Sequence, residues 1–159
     1  MKNKWQQTVI AIFFLISSVT ALAQDDEASL MSYDLATRAM NAAETYARNQ
    51  DWNVTILITD QNNNPVMLRR IDGAGARTFD FATAKALVVN ATGLTSGEYG
   101  SRVQAGDIEE IEGGVTFAGG VPVYVNGQRI GAIATSGVRA LQDEEASIAG
   151  AEAIGSASN

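Results

Sequence analysis

Histidine is absent from this 159-residue chain, and so is cysteine. The first absence removes the commonest metal ligand, the usual neutral-pH base and any Ser-His nucleophile pair together. The second removes disulfides and thiolate ligands; an exported domain of this size can fold without them, so compartment is left open. Basic residues are scarce: 11 Lys and Arg against 18 Asp and Glu give a formal charge of −7. That balance argues against nucleic acid and anionic membrane surfaces as partners, since both reward cations. Long apolar runs are missing as well. Val9 to Ile16 is too short for a membrane span, which needs about 20 residues.

That run reads instead as the centre of a secretory signal covering residues 1–23, with Lys2 and Lys4 before it and Ala21-Leu22-Ala23 after it. The predicted mature chain, residues 24–159, is periplasmic or secreted and long enough for one domain with its own core. Gln24 to Ser29 is acidic and polar, a loose mature terminus.

What is present centres on Phe117 to Val138, FAGGVPVYVNGQRIGAIATSGV. Asn126-Gly127 accepts the positive φ angles of a two-residue hairpin turn, which predicts strands over Val121–Val125 and Arg129–Thr135. Gly119-Gly120 and Ser136-Gly137 then fall at the same end of the hairpin, where missing side chains admit another backbone or a flat ligand. A second hairpin is predicted from Val54–Thr59 and Val66–Arg70 around the turn-forming Asp60 to Pro65.

Helical patterns surround these strands. Ser32 is a candidate N-cap for a helix to Asn49, with Leu35, Ala39, Ala42 and Tyr46 as its core face. Thr78 is a candidate cap for a helix over Phe79–Ala91 that ends at Gly93 and turns Phe81, Ala84 and Val88 to one side. A short helix is predicted over Ser96–Gln104, and a last one over Leu141–Ile154, where Asp143, Glu144 and Glu145 suit the helix start. The order α-β-β-α-(α)-β-β-α predicts a single α+β domain, an antiparallel sheet of two hairpins flanked by helices. The sequons at Asn53 and Asn90 sit in or beside regular elements and read as chance.

Several residues invite chemistry, each with a plainer reading beside it. The paired glycines match no phosphate-loop motif; they serve turns and bulges, or the approach of a planar ligand or a second subunit. Arg70 and Asp72 suit either a carboxylate ligand or a surface ion pair. Lys85 either runs its stem past the core to water or holds its ammonium in a cleft as an anion partner. Glu109 and Glu112, three apart, share a face on a helical turn and are candidate ligands for a hard or ferric cation; the other reading is a solvated acidic loop.

Taken in order, Arg70-Ile71-Asp72-Gly73-Ala74, Ala82-Thr83-Ala84-Lys85-Ala86, Gly119-Gly120-Val121-Pro122-Val123, Gly131 to Gly137 and Asp143-Glu144 resemble the GlcG/HbpS family of haem-binding-like proteins, also called DUF336. The resemblance covers about Ser32 to Ile154. It implies an α+β homo-oligomer, dimeric or larger. Some relatives bind haem or related tetrapyrroles, some are exported, one branch is fused to corrinoid adenosyltransferases, and others accompany glycolate or alcohol oxidation. It carries over to Arg70, Asp72, Lys85, Gly119, Gly120, Gly137 and Glu144 as site-lining positions, and it supplies no catalytic mechanism.

Three functions follow as expectations. The first is an exported, non-enzymatic, homo-oligomeric binder of haem or another planar or anionic small molecule. With no His or Cys, axial ligation would fall to Met, Tyr, Thr, Lys or water; Met40, Met67, Tyr99 and Tyr124 are available, though Met and Tyr at such spacing also serve as ordinary core. The second is an enzyme on a small oxygenated acid, with Lys85 and Asp72 or Glu144 as acid/base pair. The third is an assembly subunit whose glycine faces serve only subunit contacts.

Overall fold

Ser32 accepts a hydrogen bond from the Leu35 N–H and starts helix α1, Tyr33–Asn49. The remaining elements of the computed structural model, which describes residues 30–158, are β1 (Thr55–Asp60), β2 (Pro65–Arg70), α2 (Thr78–Thr92), α3 (Ser96–Ala105), β3 (Gly120–Val125), β4 (Gln128–Ser136) and α4 (Ala140–Glu152). The predicted order holds throughout, with boundaries moved by a residue or two. The signal and the acidic terminus predicted before Leu30 lie outside the described residues.

Asn126 and Gly127 both take positive φ, 53° and 78°, and close the β3–β4 hairpin on two residues. The hairpins join through β1 and β4 into one antiparallel sheet ordered β2-β1-β4-β3. Because strand side chains alternate, β1 serves both faces. Ile56 and Ile58, with Val121, Val123 and Ile133, pack on α1 and α4. Leu57, with Ala132 and Ala134, packs on Ala82, Ala86 and Val89 of α2. The result is an α+β domain in three layers, α1 and α4 on one face and α2 on the other. Each fully buried Ile, Leu or Val contributes about 1.5–3 kcal/mol, so these two faces hold the fold.

Three local expectations are corrected. Helix α1 buries Ala36, Ala39, Met40, Ala43 and Ala47, about one residue round from the predicted face, because its small side chains meet α4 where Gly150 lies against Ala39 and Ala43. Thr78 does not cap α2; Arg77 is the N-cap, and the Thr78 hydroxyl bonds the Gly75 carbonyl and Thr55 Oγ1 instead. Helix α2 buries Ala82, Lys85, Ala86, Val88 and Val89; of its predicted face Val88 is buried as expected, while Phe81 and Ala84 are only half-buried. A lysine thus occupies a core position.

Candidate functional site

Lys85 is wholly buried. From α2 its side chain passes Gly120, whose absent Cβ would stand 3.0 Å from Lys85 Cβ, and ends beside Gly119. Its ammonium donates to Asp143 Oδ2 at 2.8 Å and to the Thr135 carbonyl at 2.7 Å. A Cβ at Gly119, where φ is +126°, would lie 2.3 Å from Lys85 Nζ. Glycine is required there by both space and backbone.

Asp143 comes from the first turn of α4, on the far layer of the sheet. It reaches Lys85 because the hairpin sets Gly119 beside Thr135, the Thr135 N–H donating to the Gly119 carbonyl at 2.8 Å. The Val138 N–H donates to Asp143 Oδ1 at 3.1 Å, and the Gly137 N–H also serves this carboxylate. Ser147 adds a bond to the Gly119 carbonyl and one shared with Thr135 Oγ1. Burial holds the Lys85 ammonium below its usual range, opposed by the charge of Asp143; burial likewise pushes Asp143 up, opposed by Lys85. Glu144, the next residue, is pushed up by burial although it accepts from the Gly119 N–H, and its Oε2 is buried with no hydrogen-bond partner among the described residues.

Outward from this pair runs a ladder of cations and rings. Lys85 Nζ lies 5.2 Å from the Phe117 ring centroid. Phe117 meets Phe81 edge-on at 5.6 Å, and the Arg77 guanidinium sits 4.9 Å from Phe81. Phe117 and Arg77 are exposed, so the ladder runs from core to solvent.

The structure therefore gathers Lys85, Gly119, Gly120, Gly137 and Glu144 at one end of the hairpin. Arg70 and Asp72 do not join them. Arg70 ends β2, the opposite edge strand, three strand spacings or about 14 Å from β3. It donates to the Ala74 carbonyl and, with exposed Asp72, lines a separate hollow of about 230 Å³. The Lys85 ammonium pairs with Asp143, in the place expected for Asp72 or Glu144. Glu109 and Glu112 are exposed in the loop between α3 and β3 rather than on a helical turn, so their spacing gives no shared face. No group of three or more His, Cys, Asp or Glu side chains placed to hold a metal occurs among the described residues.

A family model described as "Haem degrading protein HbpS-like" matches residues 6–152. This chain belongs to the HbpS-like family. The crystal structure of HbpS is 30% identical, with TM-score 0.72 over 78% of this chain and 89% of that one. A double mutant of Streptomyces reticuli HbpS is 27% identical, with TM-score 0.74 over 96% and 99%. The PduOC:heme complex, 24% identical, shares the fold with TM-score 0.72 over 77% and 94%. A search of curated protein sequences returned no match.

Asp143, Phe117, Phe81 and Arg77 escaped the sequence reading as site residues. Asp143 and Glu144 carried one signal: they follow closely on the glycine end of β4, which the hairpin turns back onto Gly119. The two phenylalanines had none, being 36 positions apart on separate elements.

Proposed function

We propose that this HbpS-like chain is an exported, non-enzymatic binder of haem or a related tetrapyrrole, working as a homo-oligomer. The observation that carries the reading is the Arg77–Phe81–Phe117–Lys85 ladder. It offers apolar ring faces to a planar macrocycle and a solvent-facing guanidinium to its carboxylates. The family description, which names haem, and the haem held by the PduOC neighbour support haem as the ligand class.

These residues suit the macrocycle and its carboxylates, not its metal. Met40 and Tyr99 are fully buried in the core, and Tyr99 accepts from the Ile111 N–H. Met67 and Tyr124 lie on the two edge strands. Lys85 is already held by Asp143 and Thr135. Affinity would come from ring stacking and carboxylate pairing. Export rests on the residues 1–23 signal pattern. Self-association is supported by β2, which pairs only with β1 among the described residues and leaves Leu68 exposed on a sheet edge.

Titrating hemin into the purified protein tests the ligand. A shifted Soret band is expected, with Phe117→Ser and Arg77→Ala each weakening binding about tenfold. A spectrum equal to that of free hemin overturns the proposal. Size exclusion with and without hemin reads the assembly.

One observation favours a second reading, acid/base chemistry on a small oxygenated acid. Burial lowers the proton affinity of Lys85 and raises those of Asp143 and Glu144, which narrows the gap a proton must cross between them. Turnover surviving Lys85→Ala together with Glu144→Ala would sink it.

A further inference from the structure

The two edges of the sheet end differently. At β3 the C-terminal segment closes the edge: the Tyr124 N–H donates to the Ser156 carbonyl and the Ser156 N–H to the Tyr124 carbonyl, each at 2.9 Å. At β2 no described residue does the same. The Ile71 N–H donates to the Val54 carbonyl at 2.9 Å. Bonded and non-bonded pairs alternate along an antiparallel ladder. Arg70 and Leu68, opposite Thr55 and Leu57, therefore turn their backbone N–H and C=O groups away from β1. Beside those groups the Leu68 side chain is 44% exposed. A strand edge this open is a template for another strand.

Charge says which strand. Pro65 to Arg70 contains no acid, and its two cations, Arg69 and Arg70, sit together at one end. At the other end lies the β1–β2 turn, whose one charged residue is Asp60. An antiparallel second β2 sets each arginine end against the acidic turn of the other copy, so the contact is complementary twice over. We infer that β2 pairs antiparallel with β2 of a second copy about a twofold axis at Leu68, joining the two sheets into one of eight strands. Leu68 then meets Leu68 of the second copy, and Arg70 meets its Val66, the register that gives the outward groups of Leu68 and Arg70 partners. This inference rests on the homo-oligomer reading above and names its contact. Phe117 leads into β3, the opposite edge, so the pairing leaves the aromatic ladder open.

Because the chain has no cysteine, single cysteines report the register without background. Leu68→Cys is expected to give a disulfide-linked dimer on mild oxidation, since Cα atoms of a bonded antiparallel pair stand about 5.5 Å apart, within disulfide reach. Val66→Cys is expected to stay unlinked, its two copies lying four residues out of step, about 14 Å. Leu68→Lys sets two cations face to face at the axis. It is expected to raise the dissociation constant of the contact at least about tenfold in size exclusion with light scattering, with circular dichroism unchanged. Oligomeric wild type in which Leu68→Cys stays unlinked, Val66→Cys links equally or Leu68→Lys assembles as before overturns this inference alone. Monomeric wild type overturns it together with the homo-oligomer reading. A Leu68 amide protected from hydrogen exchange in that monomer would assign the edge to the chain's own residues before Leu30.

Discussion

Two ion pairs of nearly equal length occupy opposite surroundings. Arg69 and Glu44 meet at 2.6 Å across β2 and α1, with side chains 37% and 20% exposed. Lys85 and Asp143 meet at 2.8 Å with 0% and 4%. The first is half-buried and still open to solvent, which screens it. The second gives up several kcal/mol of hydration per ion, offset only by the mutual attraction and by fixed partners, the Thr135 carbonyl and the N–H groups of Val138 and Gly137. A pair so placed adds little net stability compared with apolar side chains of the same volume. What it adds is position: it ties α2 to α4, helices on opposite layers, at the glycine end of the hairpin.

The sharpest break of that contrast is Lys85→Ala. It strands Asp143 in the core, with an expected loss of about 3–5 kcal/mol in urea unfolding. Lys85→Met combined with Asp143→Leu is expected to recover most of it, because no charge is then left unpaired. A single-mutant loss under about 1 kcal/mol would place the pair with ordinary surface bridges.

Acid titration separates the two regions by sign. Burial raises Glu144 above its ordinary value of 4.5, so the folded state keeps that proton longer than the unfolded one. Its contribution is present below 4.5 and is lost as pH rises through the raised value. Glu44 runs the other way. Arg48 and Arg69 hold it below 4.5, so its contribution is present above 4.5 and fades as pH falls through the lowered value. Unfolding free energy followed from pH 3 to 8 is expected to fall less with rising pH in Glu144→Gln, the raised Asp143 supplying what remains, and to rise less in Glu44→Gln. Identical curves for the two variants would erase the distinction.

The smallest effect belongs to the solvent-accessible pair. Arg69→Ala is expected to cost about 0.2–1 kcal/mol and to shrink further in high salt. A loss equal to that of Lys85→Ala would show that burial does not set the scale here.

Reading the chain against its structure divides along local and non-local lines. Asn126-Gly127 announced a two-residue turn, but a bulge between Val123 and Tyr124 shifts the pairing by one residue, and that shift brings Gly119 beside Thr135. Ser32, Gly93 and the acidic start of α4 marked helix ends through backbone chemistry confined to one turn. The face of α1 was misjudged because Ala36, Ala43 and Ala47 look interchangeable with their neighbours until α4 is packed on them. Arg70 and Asp72 stood close to the glycine end in the family pattern, yet strand order carried them to the other edge of the sheet.

By itself the sequence determined the element order, the hairpin turn and the glycines that leave room at one end, since each depends on residues within a few positions of one another. Tertiary structure alone decided that Lys85 pairs with Asp143, 58 residues away, that the Lys85 ammonium lies over the Phe117 ring, and that Glu144 is left with a buried oxygen near Gly97. Those outcomes depend on desolvation and on which layers meet at a sheet end, and neither is written in any local run of residues.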